Sequence, residues 1–379
     1  MRKERASVSQ VDVVVIGAGA MGSATAWNLA RSGRSLIVLE QHPVGHTLGA
    51  SHGATRNISA AYPQADYQAL LTETRALWTE LEQQSGTQLI DWVGVVQHGV
   101  AEAELIELRD VQHANGVRSE ILAPDEAAAR WRGLRFTSPV LHTLDAGRVR
   151  AAEALRVLRE QAEALGAEFR YDTPVRALEL DTTGAPVIHT DAETLRPEQV
   201  VVTAGAWTTK IVPAALADAL PRLRVTQEQP AHFAVRADFA DAVWPSFMQQ
   251  PQPGERDAFW CSPIYGMQTP GEGIKVGWHG VGAVVDPDRR DFLAEPVQLD
   301  ALRRYVSEWI PGADPDDLVA ISCTYTTTPS EDFVLDRRGA VTLGAGFSGH
   351  GFKFTPAIGR VLADLTRGIP APERFRLRA

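Results

Sequence analysis

One stretch of about thirty residues near the start constrains this chain more than any other feature, because it has the size and order of a complete βαβ unit. Val11-Asp-Val-Val-Val-Ile16 is short, β-branched and almost wholly apolar, as expected of a strand buried in a parallel sheet. Gly17-Ala-Gly19-Ala-Met-Gly22 follows directly. A helical stretch then runs from Ser23 to Arg31 with Gly33 at its end, and a second apolar strand, Ser35 to Leu39, closes on Glu40. Glycines at 17, 19 and 22 allow the tight turn, close approach of backbone to a pyrophosphate, and close helix–strand packing. The helix N-terminus adds N–H donors and partial positive charge for the phosphates. Glu40 stands where a carboxylate accepts a hydrogen bond from a ribose hydroxyl, and its presence in place of an arginine argues against a 2′-phosphate. The unit predicts dinucleotide binding, but the loop alone does not separate NAD from FAD.

The rest of the chain alternates between two textures. Gln41 to Tyr62, rich in Gly, His, Ser and Thr, reads as an ordered loop. Tyr67 to Gln84 reads as an amphipathic helix ending before Gly86. Leu89 to Leu144 reads as short strands and turns with one Ala-rich helix, Pro124 to Arg130. Ala151 to Leu165 is again helical, with Leu155, Leu158 and Leu165 on its apolar side. Val175 to Leu180 and Val187 to Thr190 suggest a hairpin, and Gln199 to Thr203 a further buried strand. Pro213 to Leu318 is strand-like, rich in Pro and Gly, and lacks βα alternation. Buried strands return after Ala320, with a last helix over Pro356 to Thr366. The expected fold class is mixed α/β. A Rossmann-like nucleotide domain (1–88, 145–212 and 319–379) is interleaved with a mainly antiparallel β-sheet substrate domain (89–144 and 213–318).

Composition narrows the function. The chain has 379 residues, enough for two or three domains, and 37 Lys plus Arg against 47 Asp plus Glu give a net charge of −10. An acidic surface without a basic block disfavours nucleic acid. No apolar run nears the roughly 20 residues of a membrane span. Met1 to Gln10 is charged and polar, and the glycines after it do not read as a signal peptide. Two cysteines, Cys261 and Cys323, exclude a disulfide framework and a Cys-rich metal site; no metal is expected, and a reducing cytoplasm fits.

Three further motifs fix the cofactor through a resemblance. Gly346-Phe-Ser-Gly349-His-Gly351-Phe-Lys353-Phe, Ser51-His52-Gly-Ala-Thr55-Arg56 and Cys323-Thr-Tyr325 occur in an order and spacing that resemble the monomeric sarcosine oxidase and N-methyltryptophan oxidase family of D-amino-acid-oxidase-like flavoenzymes. The resemblance runs from about Val11 to the C-terminus. It implies FAD, an amine substrate, oxygen as acceptor and hydrogen peroxide as product, in a monomer. It also implies that Cys323 is bonded to the flavin, with a small buried hydrophobe as the alternative. Cys261 matches no family thiol.

Residue roles follow from the same resemblance. Ser51, His52, Thr55, Arg56, Val175 and Gly205 join Gly17, Gly19, Gly22 and Glu40 as cofactor contacts. Gly346, Gly349 and Gly351 let backbone N–H groups approach a flat ring, and Thr355 is expected to cap the following helix. Lys353 adds charge beside the flavin or meets a substrate carboxylate. Lys275, in Ile274-Lys-Val-Gly-Trp278-His279, matches the family lysine over the flavin, where a fixed cation favours electron transfer to oxygen. His279, on the same face if the strand is regular, and Tyr325 complete the expected catalytic set. The chain departs from the family at Ser59, where the family has an arginine that grips the substrate carboxylate; that bidentate partner is missing. Trp260 and Trp278 are either an aromatic wall for a bulky amine or core. Gln268 to Glu272 reads as an insertion beside the same pocket. The expected reaction is hydride transfer from the carbon beside a neutral secondary or N-methyl amine to flavin N5, then imine hydrolysis and reoxidation by oxygen. The alternatives are a flavoenzyme of the same fold acting on a cyclic imino acid or another bulky amine, an NAD enzyme, and a flavin-binding sensor without turnover.

Overall fold

The structure, a computed structural model, describes residues 11–251 and 259–378, so the polar stretch Met1–Gln10 lies outside it. Its first sheet has six strands in the order Val334–Arg338, Val341–Ala345, Gln199–Val202, Val13–Ile16, Leu36–Leu39 and Glu168–Arg170. All neighbours are parallel except the Val334–Arg338 edge strand. Strand alternation divides the sheet's residues between two cores. Val13, Val15 and Val201 face helices Ala20–Arg31, Ala65–Ser85, Ala151–Ala164 and Thr355–Thr366, while Val14, Ile16, Val200 and Val202 face Leu178, Ile188 and Leu195 of a small three-stranded sheet. Burying each such valine contributes about 1.5–3 kcal/mol.

The second large sheet has eight strands in the order Ala313–Ala320, Ala231–Val235, Gly273–Trp278, Ile264–Thr269, Ser246–Gln249, Val95–His98, Val140–Thr143 and Ser119–Leu122. It is antiparallel apart from the Ser246–Gln249/Val95–His98 pair. Ala231, Phe233, Ile274, Val276 and Trp278 point into a core shared with Leu302, Tyr305, Val306 and Trp309 of helix Pro296–Trp309. The intervening residues His232 and Lys275, which are cross-strand partners, therefore point the opposite way. A three-stranded sheet of Ala283–Val284, Arg224–Glu228 and Cys323–Thr327 carries Cys323 and Tyr325.

Several expectations are corrected. The 41–62 loop contains a strand, Thr55–Ile58, which pairs antiparallel with Gly147–Arg150; pairing across the chain overrides its polar composition. The 89–144 region holds a second helix, Glu102–Ala114, which buries only Leu105 and Gln112 and so lacks an apolar stripe. The 213–318 region is not free of helices, since Pro296–Trp309 lies within it. Leu165 is 51% exposed, beyond the end of its helix. Thr355 is the first residue of the last helix rather than its cap: a 3-10 turn, Phe352–Phe354, precedes it, and the Thr355 hydroxyl donates to the Phe352 carbonyl at 2.6 Å.

Candidate active site

The first strand ends in a turn that only glycine fits. Gly17 has φ +100°, and a Cβ there would lie 2.6 Å from the Thr203 carbonyl oxygen; at Gly22 it would lie 1.8 Å from the Gly17 oxygen. Helix Ala20–Arg31 begins at Gly19 with no side-chain cap, and the Ser51 hydroxyl accepts from Ala20 N–H at 3.0 Å. Glu40, 8% exposed, accepts from Ala18 N–H at 2.9 Å and His42 N–H at 3.1 Å, which pins its carboxylate beside the turn. A cavity of about 560 Å³ opens here and runs on to the other motifs. Gly17, Gly19, Glu40, Ser51, His52, Arg56, Val175, Gly205, Cys323, Tyr325, Gly346, Gly349 and Gly351 all line it. Arg156 and Arg159 on helix Ala151–Ala164 and Tyr171 after strand Glu168–Arg170 line it too; sequence reading missed them, since neither basic residues on an exposed-looking helix nor a lone tyrosine past a strand gives a signal. Gly22 and Thr55 stand behind the lining. Thr55, on the strand paired with Gly147–Arg150, is tied to the eight-stranded sheet by a 2.7 Å hydrogen bond with Thr269.

Loop and strand meet at Cys323. Arg290, 8% exposed, donates to the Leu48 carbonyl at 2.7 Å, the Ser322 hydroxyl at 2.7 Å and the Cys323 carbonyl at 3.4 Å, and so clamps the glycine-rich loop against the Cys323–Thr327 strand. No sequence motif flagged it. Arg56 donates to the carbonyls of Ala50, His52 and Thr55 and lies over the Phe352 ring, 5.5 Å from its centroid. His52 meets the Gly49 carbonyl at 2.7 Å; burial, then the nearby cations Arg56, Lys275 and Arg290, push its pKa down to about 4, so the ring is neutral.

Two buried lysines flank this region in different settings. Lys275 is 6% exposed and makes no hydrogen bond among the described residues. Burial and the charge of Arg56 push its pKa down to about 7, against the pull of Cys323 and Glu272. Lys353, 7% exposed, donates to the Tyr62 hydroxyl at 2.8 Å and the His350 carbonyl at 3.1 Å; burial alone brings it to about 7. Tyr62 also meets His350 Nδ1 at 3.1 Å. His279 lies one residue past its strand, with Nδ1 3.3 Å from the Tyr325 hydroxyl. It therefore belongs with Lys353, whose charge helps lower its pKa, rather than with Lys275. Burial holds the Tyr325 phenol far above its ordinary value. Tyr265, on the strand beside Lys275 and close to Tyr325, was also missed.

The remaining candidates sit elsewhere. Ser59 is buried and outside the cavity lining. Trp278 and Trp260 pack edge-on, 5.8 Å apart, and Trp260 meets Tyr305 at 5.3 Å beneath helix Pro296–Trp309. They are core, on the face of the sheet opposite Lys275. Cys261 is exposed and not among the residues that line the cavity. Gln268–Glu272 forms the end of one strand and the hairpin turn into the next.

The residues fit a flavin dinucleotide. The uncapped helix end suits a pyrophosphate, the Glu40 carboxylate a ribose, and the continuous cavity carries the molecule to Cys323. The family model described as FAD-dependent oxidoreductase (DAO) matches residues 12–365. A monomeric sarcosine oxidase from Bacillus sp. (strain NS-129) is 30% identical over 93% of this chain and 92% of its own length. The peroxisomal sarcosine oxidase of Homo sapiens is 31% identical over 94% and 92%. The solved structure of NikD, an unusual amino acid oxidase essential for nikkomycin biosynthesis, superposes with a TM-score of 0.80 at 28% identity, covering 94% of each chain.

Proposed function

The chain belongs to the FAD-dependent oxidoreductase family, and from that premise we propose that it is an oxidase of a secondary or N-methyl amine, with FAD tethered through Cys323 and oxygen as electron acceptor. The observation that carries this reading is the single cavity that joins the glycine turn to Cys323, with Arg56 at its wall and Lys275 close by. Bound flavin would take a hydride from the carbon beside the amine nitrogen and pass two electrons to oxygen, yielding an imine and hydrogen peroxide. The protein's part is to bind and to place charge. Gly17, Gly19, Gly22 and the helix they open hold the pyrophosphate, and Glu40 the ribose. Ser51, His52, Val175, Gly205 and the Gly346–Gly351 run shape the remaining wall, with Thr55 supporting it from behind. Arg56 and Lys275 make the chamber beside Cys323 electropositive, which favours negative charge developing on oxygen. Lys353, Tyr325 and His279 bound the amine side. His279 and Lys353 are both held toward their neutral forms, so the amine too can bind neutral there, and no strong base is needed.

Ser59 shapes the substrate. Without the arginine, a carboxylate would have only Lys353, a point charge already engaged by Tyr62. This favours a bulky amine, or one without the α-carboxylate, over sarcosine itself, and it keeps a cyclic imine-forming amine as a second reading. The domain split at residues 88/89, 144/145, 212/213 and 318/319, a monomeric state and a reducing cytoplasm belong to the same proposal. No helix among the described residues is long and apolar enough to cross a membrane. The test is a panel of N-methyl amino acids, cyclic imino acids and simple amines with peroxide release as readout. Turnover of at least one secondary amine is expected; a yellow protein that oxidises none of them contradicts the reading.

A further inference from the structure

Lys275 poses a supply problem. Reduction of O2 to H2O2 consumes two electrons and two protons. In the function proposed above, on which this inference rests, the reduced flavin anion carries both electrons and one proton; the other must come through the protein. Lys275 can release a proton as its ammonium and become the neutral amine, but it is 6% exposed and must be recharged before the next turnover. Arg56, His52 and Cys323 face it from the neighbouring strands and loop. The depressed pKa of His52 leaves that ring without a proton to spare.

A different pair leads outward. His232 is the direct cross-strand partner of Lys275 in the antiparallel ladder, so both side chains stand on the face away from the Phe233–Ile274 core. His232 is itself 6% exposed, and its Nδ1, shut off from solvent, has no aligned hydrogen-bond partner. That nitrogen lies 3.0 Å from Glu272 Oε2, the distance of a hydrogen bond without its alignment. Glu272 sits in the hairpin turn leading into the Lys275 strand and keeps 51% of its side chain in solvent, free to swing into line. We propose that Glu272 and His232 form a proton path from solvent to Lys275. Glu272 takes a proton from water and passes it to His232 Nδ1. The imidazole releases its other proton from Nε2 toward the neutral Lys275 amine, and ring tautomerisation resets the path. Burial and the nearby Lys275 charge, outweighing the ring's contact with the Glu272 backbone, keep His232 neutral, the form that accepts at one nitrogen and gives from the other.

The experiment compares Glu272→Gln, His232→Gln and Lys275→Met in the flavin-loaded protein, with thermal melting to establish folding. In Glu272→Gln, anaerobic flavin bleaching by amine should match the parent, while reaction of the reduced protein with oxygen falls about tenfold above neutral pH. Added imidazole or methylammonium buffer should restore it, because a small acid bypasses a broken path. A readout without turnover is the pH titration of the oxidised flavin spectrum. Its midpoint reports Lys275, so it should vanish in Lys275→Met and fall in Glu272→Gln, which loses the carboxylate that favours the ammonium. Parent oxygen rates without buffer rescue in both Glu272→Gln and His232→Gln, alongside a slow Lys275→Met, would overturn the path alone. A Lys275→Met protein that reacts normally with oxygen would overturn the role of Lys275 and the path with it, whereas a parent protein that oxidises no amine would overturn the function on which both rest.

Discussion

Lys275 and Lys353 share burial and a pKa near 7, yet their surroundings differ. Lys353 is satisfied: Tyr62 and the His350 carbonyl accept from it, and the rings of Tyr62 and Phe354 lie 5.2 and 5.5 Å away. Lys275 has no hydrogen-bond partner among the described residues, and a second cation, Arg56, faces it. A buried ammonium with acceptors around it is a structural part that can also present its last donor to a ligand. One without acceptors is held at a cost that folding alone does not explain. Under the proposed function, the difference suits Lys275 to the oxygen half of the reaction and Lys353 to the amine half.

The sharpest way to break this division is Lys275→Met. Removing the cation should slow the oxygen reaction by about 10²–10³-fold, read by stopped-flow reoxidation, with bleaching by amine almost unchanged. Equal slowing of both halves would erase the distinction. Lys353→Met should act on the other half, raising KM about 10–100-fold for amines that carry a carboxylate, as expected for loss of a hydrogen bond to a charged group. For carboxylate-free amines its KM should hardly change. A smaller effect separates the lysines by pH. With a pKa of about 7, Lys275 is charged below neutrality, so the oxygen reaction should fall about fivefold as pH rises from 7 to 8 and about tenfold per further unit, until other groups limit it. A rate that rises over that range has the wrong sign. The smallest change is Tyr62→Phe, which strips one acceptor from Lys353 and should cost about 1–3 kcal/mol in denaturant stability, with the oxygen reaction untouched.

The nucleotide half was legible in the sequence because its chemistry is local. Gly17, Gly19, Gly22 and Glu40 lie within one βαβ unit; Gly22 answers to a contact with Gly17 inside it, Gly17 to the neighbouring Thr203 and Gly19 to Ser51 of the loop that follows. The lysine chambers are assembled from distant segments, so Tyr62, His232, Tyr265 and Arg290 gave no signal of their own. Some misses had signals that went unread. Period-two alternation already puts Trp278 on the face opposite Lys275, which the structure bears out. Glu295 and Pro296 form a helix start, with Leu302, Tyr305, Val306 and Trp309 at helical spacing behind them. The Glu102–Ala114 helix had less to offer, for it buries two residues and rests mostly in water.

The most direct test of the account is a two-stage experiment on one sample: anaerobic mixing with a substrate amine, then admission of oxygen, followed through the flavin's visible absorption. The account predicts a yellow protein that bleaches and then recovers with release of one peroxide per flavin. With an amine that carries a carboxylate, Lys353→Met should alter only the first stage and Lys275→Met only the second. A colourless protein, or a flavin that bleaches and recovers identically in all three proteins, would contradict it.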